Sequence, residues 1–323
     1  MFQKKKYFEF YEKKSEMYEK MIDMEIKRYY SFTDFSLKNY GKKIYKIALN
    51  LNFGCPNRDG KVSTGGCIFC ANGSGDFASL YQGEKIQLKK TDKQSDDALY
   101  IGYFQAYTNT YVDINTLCFY FTKALEDDLL AGISIATRPD CMGEDVLNLL
   151  KELKDSFPDK FIWVELGLQT ISEKNAKWMN RGYPTSVFDK CVKDLHRKQI
   201  PVIVHVILGL PNEDEAFLIE EMKYLNALHI DGIKLQLLHI LQGTKLYDCY
   251  QNNEIQALTE EDYVSKVCLC ISYLDENIVI HRLTGDGERN KLVAPLWSLH
   301  KRHVLNSIAK YLKANQITQG CKL

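Results

Sequence analysis

No stretch of this 323-residue chain is apolar over the length that a membrane span requires. The first residues, MFQKKKYFEFYEKK, lack the apolar core of a secretory signal peptide, and the sequence contains no internal repeat and no low-complexity linker. With 45% hydrophobic and 26% charged residues, the chain has enough apolar material for one large core. We therefore expect a globular, cytoplasmic protein without a membrane partner.

Histidine is scarce, and the first of the seven histidines is His196. The segment NLNFGCPNRDGKVSTGGCIFCANGSGDF at residues 50–77 places Cys55, Cys67 and Cys70 in a glycine-rich loop, with no histidine or further cysteine nearby. A closed structural zinc site needs four ligands, whereas three thiolates on a four-iron cluster leave one iron free to bind a small molecule. The loop therefore predicts an iron–sulfur site, with a zinc site or unligated cysteines as the alternatives.

An excess of either charge sign is also missing, because 42 basic residues balance 42 acidic ones. The two signs are nevertheless unevenly distributed along the chain. Residues 1–46 carry 12 Lys/Arg against 7 Asp/Glu, and residues 281–323 carry 8 against 2, so the middle is acidic. Two basic ends would allow the protein to hold a polyanion by its phosphates, and solvated helix faces are the alternative interpretation.

From Tyr45 onward, short apolar runs alternate with segments of helical periodicity. The pattern predicts strands at residues 45–53, 100–106, 132–136, 161–168, 202–208 and 232–238, and helices at 114–126, 143–154, 172–180, 186–198 and 213–228. Continuously apolar strands separated by helices indicate a parallel sheet covered on both faces. Ligands of such sheets bind at the carboxyl ends of the strands. The polar residues at those ends are Cys55, Asn109, Thr137, Arg138, Gln169, Gly209 and His239.

Extensions flank this alternating region. Residues 3–28 read as one charged helix, and a shorter helix is expected around residues 95–99. Beyond Glu260 the pattern predicts a helix at 261–275, a short strand at 278–283 and a helix at 296–312. We therefore divide the chain into an N-terminal extension at 1–40, a main domain at 41–260 and a C-terminal extension at 261–323.

The cysteine spacing resembles the cluster motif of radical S-adenosylmethionine (SAM) enzymes. Cys55 is followed after eleven residues by Cys67-Ile-Phe-Cys70, and Phe69 matches the aromatic residue that precedes the last cysteine in that family. The widened first gap resembles the radical SAM domain of the Elongator catalytic subunit, as do Ile135-Ala-Thr-Arg-Pro-Asp140, Val164-Glu-Leu-Gly-Leu-Gln-Thr170 and Asn180-Arg-Gly182. Residues 28–315 are similar to stand-alone bacterial proteins of the YtqA/YhcC type through CPNRDG, AYTNTY, GLPNE and TGDGERNKLVAPLW.

The resemblance implies an α/β fold, a partial (β/α)6 TIM-like barrel with helical extensions at both ends. It also implies that Cys55, Cys67 and Cys70 hold a [4Fe–4S] cluster whose open iron binds SAM, and that a flavodoxin- or ferredoxin-like protein donates the electron that cleaves SAM to a 5′-deoxyadenosyl radical. Cofactor contacts carry over to Tyr107, Thr108 and Asn109 (SAM amino group), Gln169 and His205 (ribose), Arg181 (SAM carboxylate), Gly209 (adenine), and Thr137 or Arg138, beside Ala136 where relatives have glutamate.

The same resemblance points to the wobble uridine of tRNA as substrate, with a carboxymethylaminomethyl group at C5 processed to aminomethyl. Residues near the C-terminal helix are candidate substrate contacts, namely Arg282, Asp286, Arg289, Lys291 and Trp297. Two other interpretations stay open: a radical SAM enzyme that acts on a small molecule or a protein, and a nucleic-acid-binding module whose cysteines hold structural zinc.

Overall fold

The computed structural model describes residues 27–71, 78–88, 98–285 and 287–323. Eight parallel strands form one sheet in the order β2-β1-β3-β4-β5-β6-β7-β9. A separate antiparallel pair joins β8 to β10. The strands are β1 Ile44–Asn50, β2 Ser79–Leu80, β3 Leu99–Phe104, β4 Leu130–Thr137, β5 Phe161–Gln169, β6 Val202–Leu208, β7 Gly232–Leu237, β8 Ile240–Leu241, β9 Val279–Arg282 and β10 Leu292–Ala294.

The sheet curls into a partial barrel, as contacts between strands that are not neighbours show. Lys46 on β1 reaches Glu165 on β5, and Lys234 on β7 reaches Tyr103 on β3. Side chains from opposite parts of a flat sheet could not meet in this way, so the concave face encloses a lumen. The partial TIM-like barrel implied by the sequence is thereby confirmed.

Helices cover the convex face and begin where polar side chains cap them. Asp113, Ser172, Asp214 and Thr259 each accept a hydrogen bond from the backbone three residues further on, which satisfies one free N–H of the first helical turn. The helices are α1 Phe32–Tyr40, α2 Ile114–Leu125, α3 Glu144–Ser156, α4 Glu173–Trp178, α5 Thr185–Arg197, α6 Glu215–Ala227, α7 Lys245–Gln251, α8 Glu260–Tyr273 and α9 Lys301–Ala314. None of the helices in the described parts of the chain is long and apolar enough to span a membrane.

The first of these helices closes the amino-terminal end of the barrel. Phe32 and Phe35 of α1 both lie with ring centroids 5.8 Å from Trp163, which points into the lumen near the start of β5. Ile44 and Ile101 complete this apolar plug. The carboxyl ends of the strands are left as the accessible side of the lumen.

The six strands and the main helices predicted from the pattern are present, and the short strand expected at 278–283 joins the same sheet as β9. The pattern missed α1, α7 and the two-residue strands β2 and β8, which are too short or too mixed for a periodicity to show. It also missed β10, and α9 begins at Lys301 after a 3-10 turn at Leu296–Leu299. Leu99, expected in a helix, opens β3. The predicted helix at 3–28 lies outside the described residues except for its last two, and the division of the chain at residues 40 and 260 stays a prediction.

Candidate cluster and cofactor site

Residues 54–71, the cysteine loop, follow β1 and are fastened to the turn between α4 and α5. The Asn57 Nδ2 donates to the backbone oxygen of Asn180 at 2.5 Å and lies 3.5 Å from the Cys67 Sγ. In return, the Asn180 Nδ2 donates to the backbone oxygen of Gly66 at 2.8 Å. The two asparagines thus fix the cysteine loop to a segment more than a hundred residues away in the sequence.

Arg58 fastens the two ends of the cysteine loop to each other. Its Nη2 donates to the backbone oxygen of Cys70 at 2.7 Å and also to that of Ala71. The guanidinium runs across Gly66, where an added Cβ would lie 3.0 Å from the Arg58 Nε. Gly66 also has a φ of +79°, a conformation that glycine adopts without strain. Glycine at this position therefore allows the arginine to cross the loop.

The three thiols of the cysteine loop share one neighbourhood. Each is free and partly exposed. Burial raises the pKa of the Cys67 thiol to about 12, the negative charges of Cys70 and Cys55 raise it further, and Arg138 opposes them. Iron supplies the positive charge that such thiols need in order to be thiolates, and an N–H···S contact like that of Asn57 is typical of cluster ligands.

No group of three His, Cys, Asp or Glu side chains in the described residues is arranged around a single metal ion. A [4Fe–4S] cluster does not require that arrangement, because each cysteine binds a different iron and the sulfurs stand farther apart than around one ion. Three partly exposed thiols on one braced loop therefore fit a cluster with three protein ligands.

Arg181 lies beneath the cysteine loop with only 1% of its surface exposed. Its Nη1 donates to the backbone oxygens of Leu168 (2.9 Å) and Thr170 (2.7 Å), and its Nε donates to that of Tyr183 at 3.0 Å. Its Nη2 donates to the Thr185 hydroxyl at 3.0 Å. The guanidinium is thus committed to the end of β5, and these contacts argue against the pairing with a SAM carboxylate expected from the sequence.

Arg138, at the end of β4, has a different set of partners. It makes a two-pronged ion pair with Asp140 (2.9 and 2.7 Å) and donates to the backbone oxygen of Arg181 at 2.9 Å. Burial opposes its charge, but the hydrogen bonds with Asp140 outweigh burial and raise the pKa of Arg138. Gly182 fits tightly here, since with a φ of +84° an added Cβ would lie 2.5 Å from the Asn57 Oδ1. Arg138 is therefore a permanent positive charge beside the cysteines.

The turn at residues 107–109 packs against the cysteine loop and the end of β4. Tyr107 adopts a φ of +58°, and the Thr108 N–H donates to the backbone oxygen of Gly54 at 3.3 Å. The Asn109 Nδ2 donates to the backbone oxygens of Phe104 and Ala136 at 3.0 and 2.8 Å. The Asn109 Oδ1 is buried and has no donor in the structure. A buried acceptor without a donor is costly, so this atom fits a ligand that carries N–H groups.

The remaining predicted cofactor contacts lie at neighbouring strand ends. Gln169 ends β5 with a φ of +71° and Gly209 follows β6 with a φ of +103°; both are partly exposed. Thr137, the last residue of β4, shares a hydrogen bond of 2.6 Å with Thr110. Phe69 packs into a small apolar cluster beside the cysteine loop. Their contacts with SAM stay predictions.

His205 differs from these residues because it lies in the middle of β6. Its Nε2 is 2.7 Å from the Glu165 Oε2, and burial, followed by the charge of Lys234, lowers the pKa of His205 to about 4. Sequence reasoning missed the partners Glu165, Lys46 and Lys234. Their signal was present, since each is a lone charge inside an otherwise apolar strand (YKIAL, IWVELGL and GIKLQL).

The predicted substrate residues are not gathered in one place. Trp297 donates its indole N–H to the backbone oxygen of Leu258 at 3.0 Å and packs on Tyr263, which is a structural role. Arg289 is exposed, and Arg282 pairs with Lys234 in the register of β7 and β9. Asp286 lies outside the described residues. Lys291 forms an ion pair with the neighbouring Glu288.

Comparison with known proteins follows this geometry. Residues 49–225 match the radical SAM superfamily, and residues 230–314 match the radical SAM C-terminal domain. The chain is 40% identical over 301 residues to the uncharacterized protein YtqA of Bacillus subtilis, an alignment that covers 91% of this chain and 92% of YtqA.

Two more distant similarities extend the comparison. The chain is 23% identical over 193 residues to the tRNA uridine(34) acetyltransferase of Methanocaldococcus jannaschii, covering 59% of this chain and 34% of that protein. Among solved structures, the archaeal Elp3 of Methanocaldococcus infernus with an N-terminal deletion superposes with a TM-score of 0.59 at 18% identity, over 68% of this chain and 55% of that one. The second similarity is one of fold.

Proposed function

The chain belongs to the radical SAM superfamily, whose members bind a [4Fe–4S] cluster and SAM, and from this premise we propose that it modifies the C5 side chain of a wobble uridine in tRNA. When bound and reduced, the cluster supplies the electron that cleaves SAM to a 5′-deoxyadenosyl radical. The reaction that we propose converts a carboxymethylaminomethyl group to aminomethyl. The zinc-holding module and the unligated cysteines weighed at first are set aside, because the cysteine loop lies within the matched family region.

One observation carries the cofactor part of the proposal. The three thiols stand on a braced loop above the carboxyl ends of the barrel strands, beside the buried and donor-free oxygen of Asn109. In this assignment Cys55, Cys67 and Cys70 each bind one iron, and the Asn57 N–H group stabilises the thiolate of Cys67. Asn57 and Arg58 keep the loop in one conformation when the cluster loads.

The turn at residues 107–109 would accept the amino group of SAM, with the Asn109 Oδ1 as the acceptor. Gln169 and Gly209 would border the ribose and the adenine at the ends of β5 and β6. Arg181 acts in this assignment as a positioning residue, since its hydrogen bonds hold the end of β5 and the turn that grips the cysteine loop. Arg138, the charge next to the thiols, takes the place of Arg181 as the cation nearest the SAM carboxylate.

The tRNA part of the proposal has two supports. The relative from Methanocaldococcus jannaschii is named for its action on tRNA uridine 34, and both ends of this chain are basic. Arg289 is exposed and is suited to a phosphate contact, while Arg282 faces the lumen and would lie nearer the base. A flavodoxin- or ferredoxin-like protein is the proposed electron donor.

The experiment starts from anaerobic reconstitution with iron and sulfide, followed by dithionite and SAM. Production of 5′-deoxyadenosine is measured with and without bulk tRNA from a strain that lacks this gene, and the nucleosides are then analysed by mass. We expect production to rise with tRNA and one wobble nucleoside to lose the mass of its carboxymethyl group. Production that is indifferent to tRNA would instead favour a small-molecule or protein substrate.

A further inference from the structure

A layer of polar side chains crosses the middle of the barrel, one turn of side chains below the cofactor site. Strand register brings them to one level, because Tyr103 pairs with Ser134, His205 with Lys234, and Lys234 with Arg282. We call this set the charged layer. It consists of Lys46, Tyr103, Ser134, Glu165, His205, Lys234 and Arg282.

Glu165 is the hub of the charged layer, and its side chain is fully buried. Its Oε1 accepts hydrogen bonds from the Lys46 Nζ at 2.6 Å and the Ser134 hydroxyl at 2.7 Å. Its Oε2 contacts the Lys234 Nζ and lies 2.7 Å from His205. Burial alone would raise the pKa of Glu165, but Lys234 and Lys46 lower it well below its usual value. The carboxylate is therefore ionised and has its acceptor capacity filled.

The charges of the layer do not balance. Lys46, Lys234 and Arg282 are three cations, and Glu165 is the one carboxylate that these strands direct into the lumen. Burial lowers the pKa of Lys234 well below its usual value, and the neighbouring charges of Lys46 and Arg282 add to this effect against Glu165. A second anion in the lumen would relieve that repulsion.

The charged layer can be reached from the carboxyl side. Lys46 and His205 keep 19% and 16% of their side-chain surface exposed, although both lie inside the barrel. Above them the strands turn small residues inward. Ala48 and Gly167 are partly exposed while their neighbours Leu49, Leu166 and Leu168 are buried. This alternation outlines an open passage from the cofactor site down to the cations.

We infer that the charged layer binds a carboxylate of the substrate, with Lys46 as its main contact and His205 beside it. This inference rests on the proposed function, and it names the group by which the substrate is recognised: the terminal carboxylate of the carboxymethylaminomethyl side chain. A slender side chain that ends in a single anion fits a passage lined by alanine and glycine, whereas a backbone phosphate flanked by two riboses does not. Held by its far end, the side chain would present its methylene groups to the cofactor site above.

The test compares two tRNAs that differ only in that group, one with the carboxylate and one with its uncharged primary amide. For the wild-type protein we expect kcat/KM and affinity to favour the acid by about 10- to 100-fold, the range typical of a charged hydrogen bond. Lys46→Met should remove this preference, and Lys46→Arg should restore most of it. Because the acid-to-amide ratio is taken within each variant, a general loss of folded or loaded enzyme cancels.

Lys43→Met is the matched control, since Lys43 is exposed just before β1 and should leave the ratio unchanged. Equal use of acid and amide by the wild type would overturn the inference and leave the proposed function standing. A preference for the acid that persists in Lys46→Met would also overturn the role of this lysine. If 5′-deoxyadenosine forms but neither tRNA changes, the proposed function itself fails, and the inference fails with it.

Discussion

The cysteine loop and the charged layer occupy the same barrel but are held in place by different means. The loop is positioned by separate hydrogen bonds from Asn57, Arg58 and Asn180 to backbone atoms, most of them near the surface. The charged layer is positioned by strand register and is bound together through one buried carboxylate, Glu165. Loss of one contact in the loop should therefore be a local event, whereas loss of Glu165 should disturb every charge around it.

The largest effect is expected at the cysteine loop itself, from Cys67→Ala. Without one of three cluster ligands, iron and sulfide should not be retained after reconstitution, and SAM cleavage should fall below detection. Iron, sulfide and 5′-deoxyadenosine are the measurements. Cys118→Ala is the control, because Cys118 is an exposed cysteine on α2 and should load and cleave like the wild type. A Cys67→Ala protein that still cleaves SAM would contradict the ligand assignment.

In the charged layer the largest effect should come from Glu165→Gln. The substitution keeps the shape of the side chain but leaves Lys46 and Lys234 without their common counter-ion, which should cost about 3–5 kcal/mol of unfolding free energy. Denaturant unfolding measures it. Asp155→Asn, which breaks an exposed ion pair with Lys151, should cost less than about 0.5 kcal/mol. Similar losses in both variants would mean that Glu165 is no electrostatic hub.

A smaller effect should follow from Gly182→Ala, next to the cysteine loop. Gly182 and Gly243 have nearly the same φ, +84° and +80°, but an added Cβ meets the Asn57 Oδ1 at 2.5 Å only in the first case and nothing within 4 Å in the second. Both alanine variants share the backbone strain. Gly182→Ala should lose about 1–3 kcal/mol more than Gly243→Ala, and should load less iron. Equal behaviour of the two variants would show that the loop tolerates a shift of Asn57.

The smallest effect is expected from Arg289→Ala, outside both regions. Loss of one phosphate contact should weaken tRNA binding by about three- to tenfold and reduce the slope of log affinity against log salt by about one. Filter binding across a salt series provides both values. Lys223→Ala, on the exposed face of α6, serves as the reference for removal of a surface charge. An unchanged salt slope for Arg289→Ala would remove this arginine from the tRNA-binding surface.

Local sequence already specified the parts that depend on neighbouring residues. The alternation of apolar and amphipathic segments predicted six of the strands, because strand and helix periodicities are set within a few residues. The cysteine spacing and the glycines predicted the cluster loop for the same reason. The segment Asn180-Arg-Gly182 was also recognised, although the parts of its two side chains were not: Asn180 holds the loop and Arg181 is spent on the end of β5.

Contacts between distant residues were decided by the tertiary structure alone. Lys46, Glu165 and Lys234 are separated by 119 and 69 positions, and each is a single charge in an apolar strand. Only the curl of the sheet and the parallel register bring them to one level, where burial makes their charges interact strongly. The sequence by itself thus determined the family, the strands and the cluster ligands. The tertiary structure determined which charges meet inside the barrel, because that depends on strand register and sheet curvature rather than on any local pattern.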